Sequence, residues 1–509
     1  MSAITTDHPD VADDKEQASD VSLINVPRVL LVIALLPFIA MKLAYVFAMP
    51  VLPDEGYYWM WGQNLALSYY DHPPLLAWLQ GLSHAVFGST IFSLRLVPML
   101  AFGGMVWIAW DWCKRLAPEG RAVDALLITL IVWLASPLLL RYTTLGIQDC
   151  LLIAFTMASI HFAALFMMRR DETDREDWRL FFAACVFVGL AGLSKYNAVF
   201  IAAGFALYLL CTASGRSLLS RWQIWAGLAL IAAMQAPTLV WNIQNGWPSM
   251  QFYLSDRIGQ TRDGATFLTN FTKYLTDHVH MGGIGLVLLM VRFAYAPGFA
   301  HPIARIGMFV MLVSTLVFAA LTYSNTIFVY WNIVAFAAVM PAVAFLMRQR
   351  WELLIHIGYG LWAGIWYMMA FGLYPLNAAS GGPVRDVDIQ YGMREIGARL
   401  EVLESEYKPD VLMTSDYRTA GMLGFTLDRN DIQKIGPRND QYDFWFDPEA
   451  MKGKTALVLV DEALPETNMI ADVFETVTTV SEFTINRFGY DIHTWRVVLA
   501  ENHCGCGPH

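Results

Sequence analysis

Asp54 and Glu55 stand side by side just after a long apolar run, and no Lys or Arg occurs between residues 50 and 90 to neutralise them. A carboxylate held where water is scarce takes up a proton more readily, which is the setting of a general base. A solvated acidic pair closing a helix is an equal alternative for these two residues alone. A second cluster shifts the balance: Asp71-His72, followed by Pro73 and Pro74, sets a charged pair on a stiff turn facing the same interface. Arg95, Arg141, Asp149 and Lys195 then fall near the ends of apolar runs, where hydrocarbon penalises a charge unless it faces a cavity or a partner. An Asp149–Arg141 ion pair across a loop is the plainer account of two of them, whereas one shared cavity accounts for all.

The elements that must position these residues are membrane helices. Of 509 residues, 56% are hydrophobic and only 15% charged, and mean hydropathy is +0.43, beyond what a soluble chain of this length carries. The net charge of −10 and the lack of a basic face exclude a nucleic-acid partner. Crossing about 30 Å of hydrocarbon takes roughly 17 to 25 apolar residues as helix, and about eleven such runs occur. They lie near 28–49, 91–113, 122–140, 147–169, 178–194, 196–214, 222–241, 279–297, 303–322, 326–348 and 351–373. A cytoplasmic N-terminus puts Lys114, Arg115, Arg121, Arg169, Arg170, Arg175, Arg179, Arg216, Arg221, Arg292, Arg305, Arg348 and Arg350 on the cytoplasmic side, as the positive-inside rule requires. Residues 50–90, 242–278 and everything beyond 374 then face outward, and so does the chemistry.

Residues 1–26 are acidic, lack a basic region before the apolar core and read as a disordered cytoplasmic tail rather than a signal peptide. The first outer loop is aromatic, with Tyr57, Tyr58, Trp59, Trp61, Tyr69 and Tyr70, so it is expected against the interface, with a surface helix from Leu75 to Phe87. After Tyr374-Pro375 the composition turns soluble. A helical pattern near Tyr391–Leu400 and β-rich runs at Asp410–Met413 and Thr455–Val460 predict a small α/β domain over 376–509. The expected fold is thus an all-α polytopic membrane bundle of about 11–13 transmembrane helices over 27–375, with interfacial helices in its first outer loop and a C-terminal extracytoplasmic α/β domain. The cysteines offer no disulfide framework: Cys113, Cys150, Cys185 and Cys211 read as small buried hydrophobes, and Cys504 and Cys506 with His503 and His509 as an incidental tail rather than a metal site.

The order of these motifs resembles a known family. Asp54-Glu55 after the first span, Tyr69-Tyr70-Asp71-His72-Pro73-Pro74, Phe87-Gly88 with Arg95 seven residues on, Asp149 opening the fourth span and Gly192-Leu193-Ser194-Lys195-Tyr196 are similar to bacterial family-39-like GT-C glycosyltransferases. That group holds the lipid A aminoarabinose transferase, protein mannosyltransferases and lipopolysaccharide galacturonosyltransferases. The likeness extends through Trp241-Asn242-Ile243-Gln244-Asn245-Gly246-Trp247 to Tyr442-Asp443-Phe444-Trp445. It implies a GT-C bundle in a bacterial inner membrane, with a periplasmic site that inverts the anomeric centre. A sugar would pass from a polyprenyl-phosphate donor to a lipid or glycan acceptor such as lipopolysaccharide, or to a protein.

By position, Asp54 would be the base with Glu55 beside it, and Asp149 the second acid. Arg95, Lys195 and His72 would hold the donor phosphate. Asp71, Tyr57, Tyr58, Tyr196, Asn242 and Asn245 would contact substrate, with an interfacial aromatic belt the competing account of the 241–247 stretch. Aminoarabinose transferases carry a lysine where His72 stands, which weakens that sugar as donor and leaves hexoses and uronic acids open. No cofactor is required on this reading, and a divalent cation is left open. The alternatives are a transporter or flippase of lipid-linked sugar, disfavoured by the absence of a visible inverted repeat, and a non-catalytic scaffold, which leaves the outer charges unexplained.

Overall fold

The computed structural model describes residues 23–253, 266–295, 301–382, 388–461 and 467–506. The expected N-terminal tail therefore lies, up to residue 22, outside the described residues, as does His509. Among the described residues five helices are long and apolar enough to cross a membrane, and two bent pairs raise the number to seven. The first three long ones are α1 (Arg28–Phe47), α4 (Ile91–Leu116) and α7 (Gln148–Thr173), with Pro302–Leu321 and Arg350–Leu373 the other two. Between α1 and α4 come α2 (Pro53–Gln63) and α3 (Leu75–Phe87); between α4 and α7 come α5 (Ala122–Leu134) and α6 (Pro137–Tyr142). The helix α8 (Trp178–Ser194) and the helix Val199–Cys211 follow.

Local chemistry sets the helix starts. α1 begins directly after Pro27, where a missing N–H costs nothing. α4 starts at Thr90, whose Oγ1 accepts from Ser93 N at 3.0 Å while Thr90 N donates back to Ser93 Oγ at 3.2 Å. α3 keeps the bounds expected from the sequence and is two-faced: Leu75, Leu76, Ala77, Gln80 and Ser83 are buried, whereas Leu82, Val86 and Phe87 are exposed, the pattern of a helix lying along an interface.

Several expected spans are not single rods: 122–140 is interrupted between Leu134 and Pro137, 222–241 bends by 44° between Met234 and Ala236, and two others are broken more sharply. The run 279–297 begins inside the helix Phe267–Gly282, which turns by 113° into Ile284–Ala294. Gly283 takes φ 82° at the break, and the first half carries the Lys273–Asp277 ion pair, 2.6 Å apart, on its surface. The run 326–348 is broken into Val329–Asn332, Ile333–Val339 and Val343–Leu346, with Pro341 unable to continue the hydrogen-bond ladder. Residues Ile333 to Ala344 are almost wholly buried, so this segment packs inside the bundle instead of facing lipid.

The C-terminal region folds as expected into a small α/β domain. Its strands are β1 (Val411–Thr414), β2 (Gln433–Lys434), β3 (Ala456–Asp461), β4 (Phe474–Arg487) and β5 (Tyr490–His503), in the order β2-β1-β3-β5-β4. β1 lies parallel to β2 and β3, which require crossovers, while β4 and β5 form an antiparallel hairpin. The unbroken apolar run of β3 is buried along its length, as a covered central strand demands. One expectation is corrected: Cys504 and Cys506 are joined as a disulfide, a pairing that local chain reach allows and that spacing alone did not reveal. Cys113, Cys150 and Cys185 are buried, whereas Cys211 is exposed.

The domain seats on α2 through two glycines. A Cβ on Gly56 would lie 2.6 Å from Met422 N, and one on Gly421 would lie 2.5 Å from Gly56 C. α2 and the helix Tyr417–Leu427 therefore touch backbone to backbone. Gly421→Val is expected to force them apart, costing about 1–3 kcal/mol and lowering the thermal unfolding midpoint in detergent. An unchanged midpoint would mean the two helices separate freely.

Candidate active site

A cavity of about 640 Å³ opens where α2, the α6–α7 loop, the start of the helix after Lys195 and the C-terminal domain meet. It gathers residues from across the chain: Asp54, Glu55, Tyr57, Tyr58, Asp71 and His72 from the first loop, Arg141 and Asp149 from the α6–α7 region, then Lys195 and Tyr196, and Arg418 and Arg438 from the C-terminal domain. One flank is apolar, with Val199, Phe200, Phe318 and Leu321, and Val199 is 60% exposed on the bundle surface.

Asp54 and Glu55 are neighbours in sequence and opposites in environment. Asp54 sits in the first turn of α2, exposed, and its carboxylate has no hydrogen-bond or ion-pair partner among the described residues. Glu55 is fully buried and saturated. It accepts from Arg95 Nε at 2.9 Å and Nη2 at 2.6 Å, from Gly146 N at 2.8 Å and from Leu52 N at 3.2 Å. Such a carboxylate has no lone pair left for a substrate proton, so the expectation of Glu55 as a catalytic residue beside Asp54 does not fit this geometry.

Arg95 departs from expectation for the same reason. Its guanidinium is fully buried, does not line the cavity, and donates to the carbonyls of Tyr45, Val46, Met49 and Pro50 at 2.7 to 3.1 Å as well as to Glu55. It therefore closes the C-terminal end of α1 and ties it to the start of α2. A phosphate would have to displace all of these bonds.

Asp149 and Lys195 form a buried pair, with Nζ 2.7 and 2.8 Å from the two carboxylate oxygens. The alternative pairing of Asp149 with Arg141 is thereby excluded. Arg141 is left on the cavity wall over the rings of Tyr142 and Phe371, 5.7 and 4.8 Å from their centroids. Its Nε is buried without a hydrogen-bond partner, and no ion pair engages its guanidinium among the described residues. The turn that follows it is held by Lys42, a buried lysine on α1 that the sequence reading overlooked. Its Nζ donates to Thr143 O at 2.9 Å and Thr144 Oγ1 at 2.8 Å.

The Asp71-His72 turn is built into the wall. Asp71 accepts from Tyr57 Oη at 3.0 Å and lies 3.4 Å from Arg438. Burial pushes the Tyr57 phenol well above its ordinary range, so it stays a donor, while its oxygen accepts from Gln441 N at 2.9 Å. His72 Nδ1 meets Tyr253 Oη at 3.1 Å. Asn242 and Asn245 do not line the cavity: each side-chain amide donates to the carbonyl four residues earlier, at 3.0 and 2.8 Å, closing its own helix. Tyr330 and Trp331 do line it. Among the described residues no three His, Cys, Asp or Glu side chains gather as metal ligands. Arg418, Arg438 and Gln390 were missed by sequence reasoning, because nothing local marks residues of a soluble-looking segment as the roof of a membrane site, and Tyr253 stands in the outer stretch 242–278 outside any motif. Arg141 did carry a signal, as a lone charge in the run Pro137–Tyr142 for which a shared cavity stands against a pair with Asp149.

Residues 71–241 match the family model described as dolichyl-phosphate-mannose-protein mannosyltransferase. The lipid A galacturonosyltransferase RgtD of Rhizobium johnstonii is 29% identical over 195 residues, so the match spans 38% of each protein's length. The crystal structure of ArnT from Cupriavidus metallidurans bound to undecaprenyl phosphate superposes with a TM-score of 0.61 at 15% identity, covering 95% of this chain and 100% of that one. Its apo form gives 0.63 at 13% identity, over 93% and 99%. The chain therefore has the GT-C fold, helical bundle and C-terminal domain together.

Proposed function

We infer, from a GT-C fold whose residues 71–241 match the mannosyltransferase family, that this chain is an inverting glycosyltransferase using a polyprenyl-phosphate sugar. The observation that carries the reading is one cavity holding a carboxylate, Asp54, and a guanidinium, Arg141, neither with a hydrogen-bond or ion-pair partner among the described residues, beside an apolar flank. An acceptor hydroxyl oxygen attacks the anomeric carbon as the bond from that carbon to the phosphate oxygen breaks. Asp54 takes the hydroxyl proton, and the phosphate leaves with the bonding electrons as polyprenyl phosphate. Arg141 and Lys195 stabilise the charge that grows on the leaving group, in a site poor in water. Asp149 orients Lys195, and His72 lies within the same wall. The apolar flank suits the first isoprene units, with exposed Val199 marking the way to lipid. The clustering of cationic loops at the opposite chain turns supports a periplasmic cavity and a cytoplasmic N-terminus. A lipid A or other envelope glycan acceptor agrees with the activity named for RgtD.

The test is a transfer assay with purified protein and a panel of polyprenyl-phosphate sugars, scoring release of free polyprenyl phosphate with and without a lipid A acceptor. Release dependent on the protein supports the reading; tight donor binding without release, over the whole panel and with acceptor present, would overturn it. Arg141→Gln is expected to lower kcat/KM for the donor about tenfold to a hundredfold while the protein stays folded. A donor kcat/KM equal to the native value would remove Arg141 from the phosphate site.

A further inference from the structure

The hairpin of β4 and β5 closes in two residues, Phe488 and Gly489, between the paired Arg487 and Tyr490. Both take positive φ, 55° and 84°, the geometry that ordinarily selects Asn-Gly. A bulky side chain is disfavoured in that region of backbone space. Phe488 is also 66% exposed and Tyr490 beside it 38%. In water this tip is unfavourable twice over, in its backbone and in its bare rings.

Its surroundings supply the missing reward. The ring of Tyr374 lies 5.2 Å from that of Phe488 and 6.3 Å from that of Tyr490. Tyr374 directly follows Arg350–Leu373, a helix apolar enough to cross a membrane, on which Trp362, Ile365 and Trp366 face outward and exposed. The hairpin tip is thus continuous with the surface that this bundle presents to lipid, at the level where its chain leaves the hydrocarbon. Arg487 is already paired with Glu395 at 3.3 Å, so rings rather than charge form the contact.

We propose that the Phe488–Tyr490 tip is a membrane anchor, seated in the phospholipid interface of the leaflet on the side of the C-terminal domain. Tyr490 suits that layer with its ring among acyl chains and its hydroxyl wet, and the Phe488 ring adds an apolar contact at the acyl boundary. The anchor fixes the far edge of the domain whose other edge, at Arg438 and Tyr417, lines the cavity. It does not rest on the identity of the reaction.

Full-length protein carrying Phe488→Cys in a Cys211→Ser background, labelled with an environment-sensitive fluorophore and reconstituted in phosphatidylcholine liposomes, tests the proposal. The expected result is a blue-shifted emission quenched about threefold more by nitroxide-bearing phospholipid than by aqueous iodide, and unchanged by salt. Stronger quenching by iodide would overturn it, as would a blue shift that appears only at high protein-to-lipid ratio, which would assign the tip to a second copy. A companion variant separates fold from anchorage: Phe488→Asn suits the turn better, so with the probe moved to Tyr490→Cys the protein stays folded and lipid quenching falls about threefold. Undiminished lipid quenching in that variant would also overturn the proposal.

Discussion

Asp54→Asn is expected to lower kcat for sugar transfer by about a hundredfold to ten-thousandfold, the range that a positioned base supplies, without disturbing the fold. The carboxylate is exposed at the first turn of α2 and bonds to nothing among the described residues. The amide has the same shape, so no buried partner is orphaned by the change. Donor KM should move little, because the phosphate is held elsewhere, and thermal unfolding in detergent should match the native protein. Release of polyprenyl phosphate under single-turnover conditions reads the chemical step directly. Turnover within tenfold of native would pass the proton to another group, and Asp149 is poorly placed to take it while both of its oxygens bind Lys195.

Arg95→Met is expected to fail in a different way, as a folding defect. Arg95 and Glu55 are both wholly buried, and removing one member of such a pair leaves an uncompensated charge, at a cost of about 3–5 kcal/mol. The carbonyls of Tyr45, Val46, Met49 and Pro50 lose their donor as well. Yield of monodisperse protein and the unfolding midpoint should fall sharply. Glu55→Gln is expected to destabilise as well, since it leaves the buried Arg95 guanidinium without its counter-charge and turns an amide NH2 towards donors, although Arg95 keeps its bonds to four carbonyls. A normal midpoint with a raised donor KM in Arg95→Met would restore this arginine to the phosphate site and remove it from the scaffold.

Glu55 and Arg95 also show where reading residues one at a time stops. Both are ionisable groups at the edge of hydrocarbon, and sequence alone marks both as candidates by the same rule that marks Asp54 and Arg141. The rule is satisfied by a cavity or by a partner, and sequence does not say which. In three dimensions Glu55 and Arg95 meet each other, Asp149 meets Lys195, and Asp54 and Arg141 are left facing the cavity. Asn242 and Asn245 were candidates because amides suit sugars, but an amide four residues beyond a helical carbonyl has a nearer partner, and they took it.

What the amino-acid order determined by itself was where apolar and alternating segments lie, though not where the apolar runs bend. The long apolar runs, the surface helix Leu75–Phe87 with its two faces, and the β-rich runs that became β1 and β3 are each properties of a short window, and water or lipid sorts such windows locally. The resemblance to GT-C transferases rested on the same kind of information, motifs kept in order along the chain. Only tertiary structure decided which charges are spent inside the scaffold and which remain for chemistry. It also brought Arg418 and Arg438 over a cavity whose floor lies hundreds of residues earlier, by letting Gly56 and Gly421 touch. Pairing of charges and close approach of backbones are set by distances between segments far apart in sequence, and no local pattern encodes those distances.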